Sequence, residues 1–213
     1  MSETDPLVHW ARRAAVKRFD PTRSVPSNQW ESILRAIELA PSSYGLQPYR
    51  VVEIRDPARR RKLRAACYDQ PQLVESDRFL VFAVATDFGK AHLDAHLART
   101  ALARGALVET LAAYRTKVIE RVLDVLDRPA LLAWQARQAY IGLAAAMYQA
   151  ATLGIDTCPM EAMVLPEVDQ ILGLPQRNLT AVVGLAVGYR SADEAYSSLP
   201  KVRLPREEFF LEL

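Results

Sequence analysis

Between Ala40 and Tyr49 the chain reads APSSYGLQPY, and hydroxyls, an amide and a glycine collect there in a short run. Pro41 ends the preceding helix because proline lacks the N–H that a helix interior needs. Ser42, Ser43 and Gly45 then make a polar turn with several free backbone donors. Gln47 stands before Pro48, a position that predicts extended backbone, and Tyr49–Ile54 follows as a strand. A helix-to-strand handover built this way can hold a flat polar ligand. A capped turn serving only the local chain has the same composition. Two basic stretches add charge. Arg13 and Lys17 lie four apart on one face of a helix expected over residues 6–17, near its C-terminal end. They either flank an anion or complement the helix dipole. The tail Leu199-Pro200-Lys201-Val202-Arg203-Leu204-Pro205 reads as extended, basic and bracketed by prolines.

Other reactive side chains form no site. Cys67 and Cys158 are far apart, which gives neither a disulfide framework nor a metal pattern. His92 and His96 are an i, i+4 pair, but Asp94 does not share their face and no HExxH context surrounds them. A solvated helix face is the simpler reading, and no metal is expected. The run RRRKLR at residues 59–64 lacks interleaved aromatics and reads as a solvated arginine face rather than a nucleic-acid patch.

The elements that must position these residues follow from periodicity and punctuation. A first helix starts at Asp5-Pro6, with Asp5 as N-cap. A second, capped by Ser27, runs to about Leu39 with Trp30, Ile33, Leu34 and Ile37 inward. Asp56-Pro57 opens a helix over 58–67. The polar turn Asp69-Gln70-Pro71-Gln72 precedes a short helix. Phe79–Ala85 is a continuous apolar run, as in a strand buried on both faces. Residues from Lys90 to about Asp127 form one or two helices. Pro129 starts a helix to Leu153 that is apolar nearly all round and is expected to be central and buried, with Gly154 ending it. A short strand spans 155–158, and Pro159-Met160-Glu161-Ala162-Met163 is an irregular, functional stretch. A short helix from Pro166 to Leu172 and a strand from Leu179 to Tyr189 follow, and residues 207–213 could add a last strand.

Composition bounds the class. Of 213 residues, 50% are apolar and 24% charged, ordinary for a globular protein. Lys plus Arg is 27 against 25 Asp plus Glu, so a net charge of +2 makes no global case for nucleic acid or membrane surfaces. The uncharged run between Arg137 and Asp156 is interrupted by Gln138, Gln149 and Thr152 and is too short for a span of ~20 apolar residues. The first ten residues lack the apolar core of a secretory signal, and a cytoplasmic location is the expectation.

Four motifs in order resemble the flavin-dependent nitroreductase family across nearly the whole chain: Arg13 and Lys17 before Phe19-Asp20; Pro41-Ser42-Ser43 with Gln47-Pro48; Gly154-Ile155-Asp156 leading to Pro159-Met160-Glu161; and Leu199–Pro205. The chain is most similar to the oxygen-insensitive subgroup that reduces nitroaromatics, quinones and pteridines. The resemblance implies an α+β three-layer sandwich, a central, mostly antiparallel sheet flanked by helices. It implies one domain over 1–213, a helical excursion at about 90–128, and a tail at 199–213 that wraps the partner of an intertwined homodimer. It implies FMN bound between subunits, with Arg13, Lys201 and Arg203 on the phosphate and Lys17 at the pyrimidine side of the ring. Asp69 falls at the ring edge, Pro159 and Met160 on one ring face, and the N–H groups of Glu161 and Ala162 at flavin N5 and O4. Ala15 belongs to the same cofactor-binding set. Pro41, Ser42, Ser43, Gly45 and Gln47 would reach it from the other subunit. The chain departs from the family pattern at Ala14 and Ala15, where a polar pair is frequent, at Gly45 and Ala162, and near Gln72, where a lysine is common.

The activity so implied is NAD(P)H-dependent flavin oxidoreduction. Hydride passes by way of flavin N5 in ping-pong fashion to nitroaromatic, quinone or similar electron-poor acceptors. The chemistry rests on FMN, with no catalytic side chain and NADH or NADPH as donor. Specialised flavin chemistry (fragmentation or dehalogenation), a non-catalytic flavin-binding module and a helical interaction protein are the alternatives.

Overall fold

The computed structural model describes residues 5–213. Helix α1 (Leu7–Arg12) begins where the Asp5 carboxylate accepts the Leu7 N–H at 2.9 Å. It stops five residues earlier than the sequence predicts, because the next segment is captured by a strand: Val16 donates to the Thr157 carbonyl and Ala15 bridges Thr157 in parallel. Arg13 and Lys17 therefore do not share a helix face; both side chains instead come near Cys158 on the neighbouring strand. Helix α2 (Ser27–Leu39) has Pro26, not Ser27, at its N-cap and no side-chain cap bond. Strand β1 (Tyr49–Glu53) follows the serine loop, and α3 (Pro57–Ala65) is capped by Asp56 on the Ala58 N–H at 2.9 Å. After α4 (Gln72–Glu75) come β2 (Arg78–Ala85), α5 (Lys90–Arg104), α6 (Ala112–Val118) and a wide π-type turn at Ile119–Leu123. Helix α7 (Arg128–Thr152) leads through a left-handed Gly154 (φ 74°) into β3 (Asp156–Met160). Helix α8 (Leu165–Leu172), β4 (Leu179–Gly188) and a short α9 (Arg206–Phe209) complete the chain. Strand β3 takes in Pro159 and Met160, which the sequence reading leaves irregular.

The strands form one antiparallel sheet in the order β1-β2-β4-β3. Its two faces are read off β2, where side chains alternate. Leu80, Phe82 and Val84 pack with Trp30, Ile33 and Ile37 of α2 and Ala139, Leu143 and Ala146 of α7. Phe79, Val81 and Ala83 pack with Leu63 of α3, Leu73 of α4 and Val168 of α8. Helices on both faces explain the unbroken apolar run, and the result is the three-layer α+β sandwich. A separate cluster of Leu93, Leu97, Val118, Val122, Phe88 and Trp134 consolidates the excursion against the start of α7.

Three further readings change. Helix α7 is not buried all round: Gln135, Ala139, Gly142, Leu143, Ala146 and Ala150 make one buried stripe, while Tyr140, Ile141, Ala144, Ala145 and Tyr148 stay partly or fully exposed. The arginine run on α3 is not uniformly solvated. Arg60 is buried, and its guanidinium donates to the carbonyls of Leu73, Ser76 and Asp77 and to the Ser76 hydroxyl. Residues 207–213 add no strand; Arg206–Phe209 form a short helix, and Phe209, Phe210 and Leu211 are exposed. Among the described residues no helix is long and apolar enough to cross a membrane. No group of three His, Cys, Asp or Glu that could hold a metal occurs there either.

Candidate functional site

The segment after α1 is held between β3 and the chain that leaves β4. On one side Ala15 and Val16 engage Thr157. On the other, Phe19 bridges Arg190, the Ser191 N–H donates to the Arg18 carbonyl, and the Asp20 N–H donates to the Tyr189 carbonyl. Glu194 locks this arrangement: its carboxylate accepts the N–H of Lys17 and that of Tyr196, both at 3.1 Å. The Arg190 guanidinium grips Asp156 on β3, donating to Oδ2 at 3.0 Å and also to Oδ1. These contacts carry the tail back over the first segment, so that Arg13, Lys201 and Arg203 act on one another. Burial lowers the pKa of the Arg13 guanidinium, and Arg203 beside it lowers it further, while Cys158 acts in the opposite sense. Loss of solvent, then Arg13, Arg203 and Arg190, lower the Lys201 ammonium.

A cluster of like charges is unfavourable unless an anion sits within it. Arg190 is paired with Asp156; Arg13, Lys201 and Arg203 make no salt bridge among the described residues. The Arg13 Nε is buried and has no hydrogen-bond partner there. A buried guanidinium N–H left without an acceptor is costly. Three convergent cations and an orphaned donor fit a phosphate.

Beside the cations, Lys17 lies with its Nζ 3.7 Å from the Cys158 Sγ. Where β3 ends, the N–H groups of Glu161 and Ala162 donate no hydrogen bond among the described residues, whereas Met163 turns back onto the Glu161 carbonyl at 2.7 Å. Two such adjacent donors can receive a polar ring edge. Tyr140 on α7 donates its hydroxyl to the Glu161 carboxylate, and burial and then that bond push its pKa up to about 12. Gln70 donates to the Ala162 carbonyl at 3.0 Å and fixes the same corner from the α3–α4 turn. Asp69 is exposed at φ 54°, with its carboxylate 3.8 Å from the Arg64 Nε. Of the pair expected to cover a ring, Pro159 retains surface and Met160 is buried in the core at 2% exposure.

The serine loop stands elsewhere. It leads into β1, and β1 and β3 are the opposite edges of the sheet, about 14 Å apart at three strand spacings. The sequence reading of free backbone donors holds at Ser42 and Tyr44, whose N–H groups donate no hydrogen bond among the described residues, but not at the other four. Ser43 donates to the Gln138 Oε1 at 2.7 Å, Gly45 to the Ser42 carbonyl at 2.8 Å, Leu46 to the Ser43 carbonyl and Gln47 to the Ser42 hydroxyl at 2.9 Å. Gln47 is not extended but has φ 43°, a strained value that these bonds hold. Its amide donates to the Glu38 carbonyl at 2.8 Å, and the Tyr114 hydroxyl of the excursion donates to the Tyr44 carbonyl. Within one chain Arg13, Lys201 and Arg203 thus act on one another, Ala15 and Lys17 meet β3 at Thr157 and Cys158, and Pro159, Glu161 and Ala162 lie at the end of that strand, while Pro41, Ser42, Ser43, Gly45 and Gln47 stand at the opposite edge. Sequence reasoning missed Arg190, Glu194, Gln72 and Tyr140. Each matters through a partner distant in sequence, which no local pattern reveals.

Fold and site together define an α+β protein with a cluster of cations at one sheet edge. The sequence pattern of the nitroreductase family matches residues 10–189. The chain belongs to the nitroreductase family. A Staphylococcus aureus protein provisionally named an NAD(P)H nitroreductase is 34% identical over 188 residues, covering 85% of this chain and 84% of that one. A Thermus thermophilus protein named NADH dehydrogenase is 33% identical over 215 residues, 99% of both chains. Among solved structures, an Exiguobacterium sibiricum nitroreductase homologue in complex with FMN aligns with a TM-score of 0.82 at 19% identity, over 100% of this chain and 99% of that one.

Proposed function

We propose that this protein is an NAD(P)H-dependent FMN oxidoreductase that works as a homodimer and reduces nitroaromatic, quinone or similar electron-poor acceptors. The observation that carries the reading is the buried Arg13 Nε, without a partner among the described residues and set beside Lys201 and Arg203. Family membership, the names of the relatives and the FMN held by a protein of the same fold support it.

In this reading Arg13, Lys201 and Arg203 hold the phosphate. The N–H groups of Glu161 and Ala162 receive the polar edge of the ring, and Lys17 places a positive charge at its pyrimidine side. FMN, when bound, supplies the hydride chemistry; the chain binds, orients and sets the local charge. A cation near the ring favours its reduced, anionic form. Donor and acceptor would use the same open ring face in turn, which makes the kinetics ping-pong.

A shared site is supported by the distance between the serine loop and the cations within one chain. The exposed apolar face of α7 and the exposed Phe209, Phe210 and Leu211 supply surface for a second copy to cover. One edge of β1 is unpaired, and a cavity of about 660 Å³ lies along it between Leu46–Glu53, Phe88 and Leu174. The tail of the partner would lie there.

Purified protein is expected to be yellow, and NADH or NADPH should bleach it without oxygen. Each acceptor of a panel should then restore the colour. A protein that neither retains nor takes up FMN overturns the proposal. One that binds FMN but is reduced by neither nucleotide is a binding module.

A further inference from the structure

The Lys17 ammonium has an unusual partner. It makes no salt bridge among the described residues, and its Nζ lies 3.7 Å from the Cys158 Sγ. The nearby carboxylate, Glu194, accepts the backbone N–H groups of Lys17 and Tyr196 and is not in ion-pair contact with the ammonium. Cys158 itself is fixed. It lies within β3, is fully buried, receives the Gln72 Nε2 at 3.8 Å and directs its own S–H toward the Pro159 carbonyl at 3.7 Å. Gln72 is 2% exposed, so it has little room to swing away.

A thiol sulfur is a weak, neutral, polarisable acceptor. A carboxylate in its place would orient the lysine just as well but would cancel its charge. Sulfur can hold the ammonium and leave the charge available to a ligand. Burial keeps the group a thiol by raising its pKa, although Lys17 and Gln72 act against that.

We propose that Cys158 is a positioning residue: its sulfur holds the Lys17 ammonium beside the pyrimidine edge of bound FMN without neutralising it, and so raises the reduction potential of that flavin. The role of the contact rests on the FMN reading above. The contact itself does not.

The test uses the full chain with Cys158→Val, which keeps the packing volume and removes the acceptor, and Cys158→Ser, which restores one. In the FMN-free protein, the 13Cε resonance of Lys17 (assigned by its loss in Lys17→Met) should move in Cys158→Val and return toward wild type in Cys158→Ser. An unmoved resonance overturns the contact. In the FMN-loaded protein, dye-coupled titration should give a lower midpoint for Cys158→Val, in the direction of Lys17→Met but smaller. Cys158→Ser should recover most of that shift. In a Lys17→Met background, Cys158→Val should add nothing. FMN affinity should stay within about twofold throughout, since the phosphate cluster is untouched. Equal midpoints for wild type and Cys158→Val, or an equal shift with and without Lys17, overturn the proposal while wild type still loads and bleaches. Failure of wild type to take up FMN overturns the FMN reading, and this role with it.

Discussion

Replacing Arg13 by methionine should move ligand affinity and stability in opposite directions. With FMN bound, the guanidinium would donate to a phosphate, and a hydrogen bond to a charged group contributes about 1.5–3 kcal/mol. Its loss should weaken the Kd by roughly ten- to 150-fold. Without ligand, the same side chain is a liability. Its Nε is buried without a partner among the described residues, and Arg203 stands close enough to lower its pKa. An unsatisfied buried donor costs about 1–3 kcal/mol. Methionine keeps much of the aliphatic stem and has no donor, so ligand-free Arg13→Met should be as stable as wild type or more so. Arg13→Lys should recover only part of the affinity, because an ammonium lacks the fork of a guanidinium. FMN titration reads the first quantity, and urea denaturation of FMN-stripped protein followed by tryptophan fluorescence reads the second. Arg61→Met on the exposed face of α3 is the control and should change neither. If Arg13→Met destabilises the stripped protein by more than ~1 kcal/mol and leaves the Kd unchanged, Arg13 is structural and the anion reading is wrong.

Gly142→Ala should destabilise the fold by about 1–3 kcal/mol, since a Cβ there would lie 2.7 Å from the Tyr49 hydroxyl oxygen and 3.1 Å from its Cζ; an unchanged urea midpoint would refute that close packing. Burial, with Arg99 and Arg104 alongside, lowers the pKa of His96 from its ordinary 6.5. The unfolded chain then binds this proton more readily, so stability present above about pH 6.5 drains away as pH falls through the window below it; His96→Gln should flatten that slope, and an identical slope would refute the assignment. Deleting residues 207–213 should weaken both dimerisation and FMN retention, read together by sedimentation at the flavin absorbance. A truncated monomer carrying full FMN would sink the shared site.

What could be read from sequence divides along the range of the forces involved. The β2 run announced its double burial because hydrophobic burial acts on every residue of Phe79–Val84 at once. The helix start at Asp56-Pro57 and the stop at Gly154 were legible because they are set by their own neighbours. The first helix was over-extended because what ends it, the Thr157 carbonyl taking the Val16 N–H, lies beyond any local window. Arg60 looked like its exposed neighbours because its acceptors come from the far end of α4. Gln47 defied the rule for residues before proline because three bonds to α2, Ser42 and Gln138 tie its loop down. The site residues themselves were named through the family motifs. Their type alone could not have separated Arg13 from the many arginines on the surface.

The two halves of the expected site differ in how many polar groups they leave unused. At the β3 edge polar groups are left over: the Arg13 Nε, the Gln72 Oε1, the Thr157 hydroxyl, and the N–H groups of Glu161 and Ala162. At the β1 edge the loop has spent its backbone N–H groups at Ser43, Gly45, Leu46 and Gln47 on itself and on Gln138. A folded chain satisfies its buried polar groups wherever it can, so a larger surplus on the β3 side is informative. In the proposed site the β3 edge is the half that would receive the phosphate and the ring. What the loop can still offer a partner subunit is the hydroxyl hydrogens of Ser42 and Ser43 and the N–H groups of Ser42 and Tyr44, which donate no hydrogen bond among the described residues, all on a rigid frame. In the proposed dimer its contribution is therefore placement more than charge. Ser43→Ala should accordingly cost much less FMN affinity than Arg13→Met.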